Sequence, residues 1–238
     1  DNQQINLDRF SLFFPEKRPF FLENAGVFAV NNEGSASGQV NPQTELFFSR
    51  RIGVSDTGAQ IPILGGARLS GKLSDDVTVG FINMQTKSVD GTAPANNFTV
   101  ARMRRDLPNR SSIGGLFVNR QATGSLGGDG DYNRTYAFDG RWGIGEGGTL
   151  NGFAAATETS GLSVGDSHAY GLSAQHQSEQ ARLSLGYTEV APNFNPEVGF
   201  LARQSYRRMN ASVFTTFRPE NFMGVHEFRP PVSHNPVF

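Results

Sequence analysis

Four short stretches of this chain carry residue types that could do chemistry. "GLSVG" (Gly161–Gly165) fits the G-x-S-x-G pattern of a nucleophile elbow, with Ser163 at its centre. That chemistry needs a strained strand-to-helix turn and a histidine within reach of the hydroxyl. The following "DSHAYGLSAQ" reads as a strand, and Asp166 and His168 stand too near in sequence to complete a triad without contortion. "GIGEGG" (Gly143–Gly148) fits G-x-G-x-x-G, but "TLNGFAAATET" is a poor helix start to receive a pyrophosphate, so a hairpin connection is expected. "GGDGDYN" (Gly127–Asn133) offers Asp129 and Asp131, far short of the roughly six to eight oxygens of a Ca²⁺ site. A solvated loop is expected there. His168, His176, His226 and His234 form neither H-x-x-x-H nor H-E-x-x-H. No metal site and no cofactor is expected, and no residue is assigned as catalytic.

The remaining candidate is a charged set, Glu16, Lys17, Arg18, Glu23, Arg50 and Arg51, the first three inside "FFPEKRPFF" (Phe13–Phe21). Arginines cannot lose their charge, so nearby carboxylates are their natural partners and a structural ion-pair network is the expected arrangement. The functional counterpart is a polar constriction or binding surface selecting anionic or sugar-like ligands. Pro15 and Pro19 cannot donate ladder hydrogen bonds, so the stretch is poor material for a central strand. It is expected to cross or line an entrance, with its phenylalanines on apolar wall and Glu16, Lys17 and Arg18 facing the Arg50/Arg51 segment.

These residues need elements to hold them. Of 238 residues, 28 are Gly and 20 are Phe, against five Tyr and one Trp. That balance favours strands and tight turns over packed helices. The formal net charge of −1 supplies no field to attract nucleic acid, which is not expected as a partner. The absence of Cys excludes disulfides, thiolate metal sites and cysteine nucleophiles. No apolar run approaches the roughly 18 residues of a membrane helix, and no signal peptide is visible. Asp1 at the start and "RPPVSHNPVF" at the end read as the limits of a fragment.

Period-two alternation recurs along the chain. In "YNRTYAFDGRW", Tyr132, Tyr136, Phe138 and Trp142 oppose Asn133, Thr135, Asp139 and Arg141. "IPILGGARLSGKL" sets Ile63, Gly65, Ala67, Leu69 and Leu73 against Arg68, Ser70 and Lys72. "ARLSLGYTE" and "RRMNASVFTTF" repeat the pattern. Weaker strands are expected over Glu45–Ile52, Val77–Thr86, Asn97–Arg105, Ser111–Arg120, Thr149–Thr159 and His168–Gln177. About ten strands of some ten residues, separated by turn material, predict an all-β, antiparallel up-and-down meander. Such strands match a tilted membrane-spanning strand better than the roughly five to six residues usual in soluble sheets. An outer-membrane-type β-barrel, partial or open, is the expected architecture. It has an irregular segment over 1–44 (with a mobile loop at Asn31–Gln43), the meander over 45–220 and a truncated end over 221–238.

The landmarks "RFSLFFPEKRPFFLENAGVF", "LFFSRRIG", "IPILGGARLSGK", "FTVARMRRDL" and "NFNPEVGFLAR" occur in one order between Arg9 and Arg203. Together they resemble an uncharacterised bacterial family, a domain of unknown function usually found downstream of a carbohydrate-binding family-nine-like domain. The resemblance implies an envelope protein whose C-terminal part is a predicted outer-membrane β-barrel. It implies outer-membrane lipid as a partner and a carbohydrate ligand by way of an upstream domain that this chain lacks. It transfers no activity to any residue.

The expected function is therefore a non-enzymatic outer-membrane barrel domain of a larger protein linked to carbohydrate binding or uptake. The alternatives are an outer-membrane hydrolase with a rim active site and a soluble β-sandwich binding domain. The direction in which Tyr136, Phe138, Trp142, Leu183 and Leu185 point separates barrel from sandwich.

Overall fold

The computed structural model describes residues 15–30, 44–55, 58–128, 130–162, 165–215 and 231–238. Ten strands form one antiparallel sheet: β2 (Ile63–Lys72), β3 (Val77–Thr86), β4 (Ala95–Leu107), β5 (Ser111–Thr123), β6 (Tyr132–Ile144), β7 (Gly148–Thr159), β8 (His168–Gln177), β9 (Ala181–Val190), β11 (Tyr206–Thr215) and β12 (Pro231–His234). Each pairs with its neighbour in chain order, so the meander is the observed topology. Among the described residues the sheet does not close, since β2 and β12 pair with no further strand. β1 (Thr44–Glu45) and β10 (Phe200–Leu201) form a separate two-stranded pair. The described residues also hold one turn of helix, α1 (Pro19–Leu22), and two 3-10 turns, Ala25–Phe28 and Ser49–Arg51.

The weaker strand expected over Glu45–Ile52 is corrected. Only its first residue is in a strand, and Ser49–Arg51 turn as a 3-10 helix. Leu46 and Phe48 alternate as in a strand, but both are buried, and Phe48 N donates to Val198 O rather than to a ladder partner. The long meander thus begins at Ile63. A second correction concerns Ile63 itself. A β-bulge at Leu64 shifts the register, so Ile63 sits opposite Thr86 on the covered face while Leu64 is exposed. The loop expected at Asn31–Gln43 lies outside the described residues.

The two faces of the sheet differ in what meets them. The inner face carries Ile82, Val100, Leu116, Val118, Ala137, Ala155, Ala169 and Val190, all buried. They are covered by the chain's own irregular segments, through Phe21, Phe28, Leu46, Ile52, Phe194 and Val198. Gly80 on β3 makes room for this layer, because a Cβ there would fall 2.7 Å from the Phe28 ring and 2.9 Å from Val27.

Among the described residues the outer face has no such cover. Leu69, Phe81, Met103, Phe138, Leu172, Leu185 and Met209 are exposed on seven different strands. Tyr136 and Trp142 are exposed as well, and Phe138 reaches 72% exposure. Large residues sit beside small ones: Phe138 lies between Gly115 and Ala154. Among the described residues no second sheet buries this parity, so the sandwich arrangement is not seen there.

Gly80→Ala is expected to displace Phe28 and cost about 1–3 kcal/mol, the usual penalty of overpacking. Gly115→Ala, whose Cβ would meet nothing nearer than Phe138 at 3.5 Å, is expected to be near neutral. Thermal unfolding of the two variants, with proteolysis of the 15–30 segment as a second readout, checks the contrast.

Candidate functional site

The N-terminal segment docks through a clasp that begins at Glu16. Its carboxylate accepts hydrogen bonds from the backbone N–H of Lys17 and Arg18, both 2.9 Å, and from Ser49 Oγ at 2.7 Å. Arg18 grips the same carboxylate with Nε at 2.9 Å and Nη2 at 2.7 Å. The rest of that guanidinium donates to the carbonyls of Ile52, 2.7 Å, and Ser49, 2.8 Å. It also lies 4.3 Å from the centre of the Phe21 ring. Pro19 occupies the first position of α1, where its fixed φ suits a helix start and its missing N–H costs nothing. The 3-10 turn at Ser49–Arg51 ends at Ile52, and it is this turn that presents the Ser49 and Ile52 carbonyls.

Burial pushes the Glu16 carboxyl up. The hydrogen bonds from the Arg18 side chain and backbone and from Ser49, with the charge of Arg18, outweigh burial and hold it at about 2.

Of the six residues singled out by sequence, Glu16, Arg18 and Arg50 are brought together, with Arg50 Nη1 donating to Pro15 O at 3.0 Å. Arg51 turns away and donates to Gly199 O at 3.2 Å. Lys17 and Glu23 are exposed. The Glu23 carbonyl, with that of Phe20, receives the guanidinium of Arg68 from β2. The expected pairing of carboxylates with arginines thus holds for Glu16 and Arg18. Arg50 and Arg51 donate to main-chain carbonyls, those of Pro15 and Gly199. Phe13 and Phe14 lie outside the described residues, Phe21 is buried, and Phe20 packs edge-on against it at 5.1 Å.

Two inner-face clusters were not anticipated as clusters, and Asp131, expected in a solvated loop, is a half-buried ion-pair partner in the first. At the end of the sheet with the longer connections, Arg120 binds Glu197 at 2.6 Å, Asp131 at 2.6 Å and Asn96 at 3.0 Å. Buried Asn133 donates to Asn195 O and accepts from Glu197 N, fastening the 191–201 segment to the wall. The hydrogen bonds from Arg120 keep the Asp131 carboxyl below its ordinary value, as befits an ion-pair partner. Arg51, Arg120, Asn195, Glu197 and Gln204 line a cavity of about 690 Å³, in which Asp131 and Glu197 both pair with Arg120.

At the end with the short turns, Arg102 reaches across β5 to bind Asp139 through both terminal nitrogens, 2.6 and 2.9 Å. Gly114 permits this, since a Cβ there would fall 2.7 Å from the guanidinium. The partners lie 37 positions apart and on strands that do not touch, so no local sequence signal announces them.

The other motifs resolve simply. Gly145–Gly147 form the turn of the β6–β7 hairpin, with Gly145 at φ 55°. Ser163 and Asp129 lie outside the described residues. His168 stacks on Tyr170 on the outer face, beside Glu189 at 3.9 Å. Among the described residues no three His, Asp or Glu side chains group as metal ligands. No family model, curated protein or solved structure matched the chain.

Because the folded value of Glu16 lies below its ordinary 4.5, its contribution to stability is complete above about 4.5 and is lost as pH falls towards about 2. Glu16→Gln is expected to be less stable than the native chain at pH 7, with the gap closing across that window. Thermal unfolding of both proteins between pH 7 and pH 2 measures it.

Proposed function

We propose that this chain forms part of the wall of an outer-membrane β-barrel, a non-enzymatic domain of a larger bacterial envelope protein, with its irregular segments seated inside. The supporting observation is the uncovered outer face. A protein in water rarely leaves a contiguous apolar surface running across most of a ten-stranded sheet. In a bilayer the same surface is the solvated one.

The dimensions agree with this reading. The strands from β2 to β9 hold ten to thirteen residues each. At about 3.3 Å per residue and a tilt near 40°, they would cross roughly 25 Å or more, the height of a barrel's apolar band. The outer face turns polar towards the longer connections. Asn83, Asn97 and Thr99 hydrogen-bond to one another there, and Gln85 bonds Thr123. Further along that border Tyr170 and Tyr187 both donate to Glu189, at 2.8 and 2.6 Å. Tyrosines placed where apolar surface gives way to polar groups are the usual furniture of a membrane interface. The carbohydrate link comes from the family resemblance alone and belongs to the whole protein.

Trp142 is the single tryptophan and projects from the outer face, so its fluorescence reports one place. In liposomes its emission is expected to shift to the blue and to be quenched by lipids with brominated acyl chains. Emission that stays water-like with no such quenching would overturn the proposal. Phe138→Arg is expected to cost about 2–4 kcal/mol of folding stability in lipid, as for a cation near the bilayer midplane. Urea unfolding in liposomes checks it, and a soluble protein would hardly register the change.

A further inference from the structure

We infer that the inner face holds a binding site for a phosphate-sized oxyanion, built around Arg141 and closed by the 3-10 turn of the N-terminal segment. A cavity of about 210 Å³ lies between the sheet and Gly26–Ala29, lined by Arg102, Arg104, Arg141, Asp139, Ser112 and Asn151. That volume suits one phosphate, or the phosphate end of a sugar or lipid that extends out of it.

The charges within it do not balance. Arg102, whose side chain is 1% exposed, spends its charge on Asp139. Arg104 pairs with Asp106 at 2.7 Å, but both are about half exposed, where solvent screens the attraction. Arg141 pairs with no carboxylate among the described residues, and its Nε is buried without a hydrogen-bond acceptor. The Nε of Arg102 is in the same condition. An arginine stays charged at any ordinary pH, and a buried N–H without an acceptor is costly. Two such donors beside one cavity are what a planar or tetrahedral oxyanion satisfies.

The register adds neutral donors at the right places. Ser112, Arg141 and Asn151 face each other directly across β5, β6 and β7, so a hydroxyl and an amide flank the guanidinium. This distinguishes the cavity from the one around Arg120, where every charge already has its partner. The site goes beyond the membrane reading and holds whether or not the outer face meets lipid.

Equilibrium dialysis of the purified chain against labelled inorganic phosphate, in excess chloride, tests the inference. Saturable binding is expected, weakened about tenfold or more in Arg141→Gln, the loss of one charge-assisted contact. Asn151→Asp, which adds a carboxylate to the cavity with almost no change of volume, is expected to abolish it. Arg134→Gln, on the outer face, is expected to bind as the native chain does. Absence of saturable binding, or equal weakening by Arg134→Gln, overturns the site. A hexose 6-phosphate and a vesicle carrying phosphatidic acid, used as competitors, distinguish a soluble from a lipid source of the phosphate. If dialysis fails while bromolipid quenching of Trp142 succeeds, only the anion site falls.

Discussion

Everything in this molecule follows from a sheet that is apolar on both sides. Strands this long, with Phe138 on one face and Ala137 on the other, cannot satisfy both surfaces with water. The chain resolves one side from its own length. Phe21, Phe28, Ile52 and Phe194 are delivered to the inner face by segments with little regular structure. What orders those segments is therefore the wall they cover rather than any propensity of their own, and the short turns at Pro19 and Ser49 are consequences of docking.

Irregular backbone placed against apolar wall raises a second requirement, because every carbonyl taken from water needs a donor. The arginines meet it. Arg18 serves Ser49 and Ile52, Arg50 serves Pro15, Arg51 serves Gly199, and Arg68 serves Phe20 and Glu23. A guanidinium suits this work, since it offers five donors in a fixed fork and keeps its charge whatever surrounds it. The charge density of "PEKRP" and "SRR" thus reflects backbone accounting more than ligand chemistry.

How much of this could be read from residues alone varies with the range of the interaction. The alternation of Tyr136, Phe138 and Trp142 with Thr135, Asp139 and Arg141 announced β6 and its two faces, because period two is a local property. Val77–Thr86 and His168–Gln177 were legible to the residue for the same reason. Alternation does not say which parity is covered, and it was silent at Leu64, where one extra residue reverses the faces. It misled at Leu46 and Phe48, whose spacing mimics a strand while their backbone bonds go elsewhere. The clasp at Glu16 and Arg18 could be anticipated because both partners lie two residues apart. Arg102 with Asp139, and Arg120 with Glu197, could not, since only the register of intervening strands brings them together.

The pairing of β1 with β10 bears on the order in which the chain can assemble. Each hairpin of the meander joins neighbours in sequence and can form as soon as its two strands exist. The Arg51 contact to Gly199 spans 148 residues, and β1 has no partner until β10 is in place. Loop closure of that length is slow compared with hairpin formation. Phe28 can pack on β3 early, but β1 and the turn that carries Arg51 must wait until almost all of the sheet has been made. During that interval the chain is at its most vulnerable to aggregation, and a chaperone that shields the first sixty residues would protect it best.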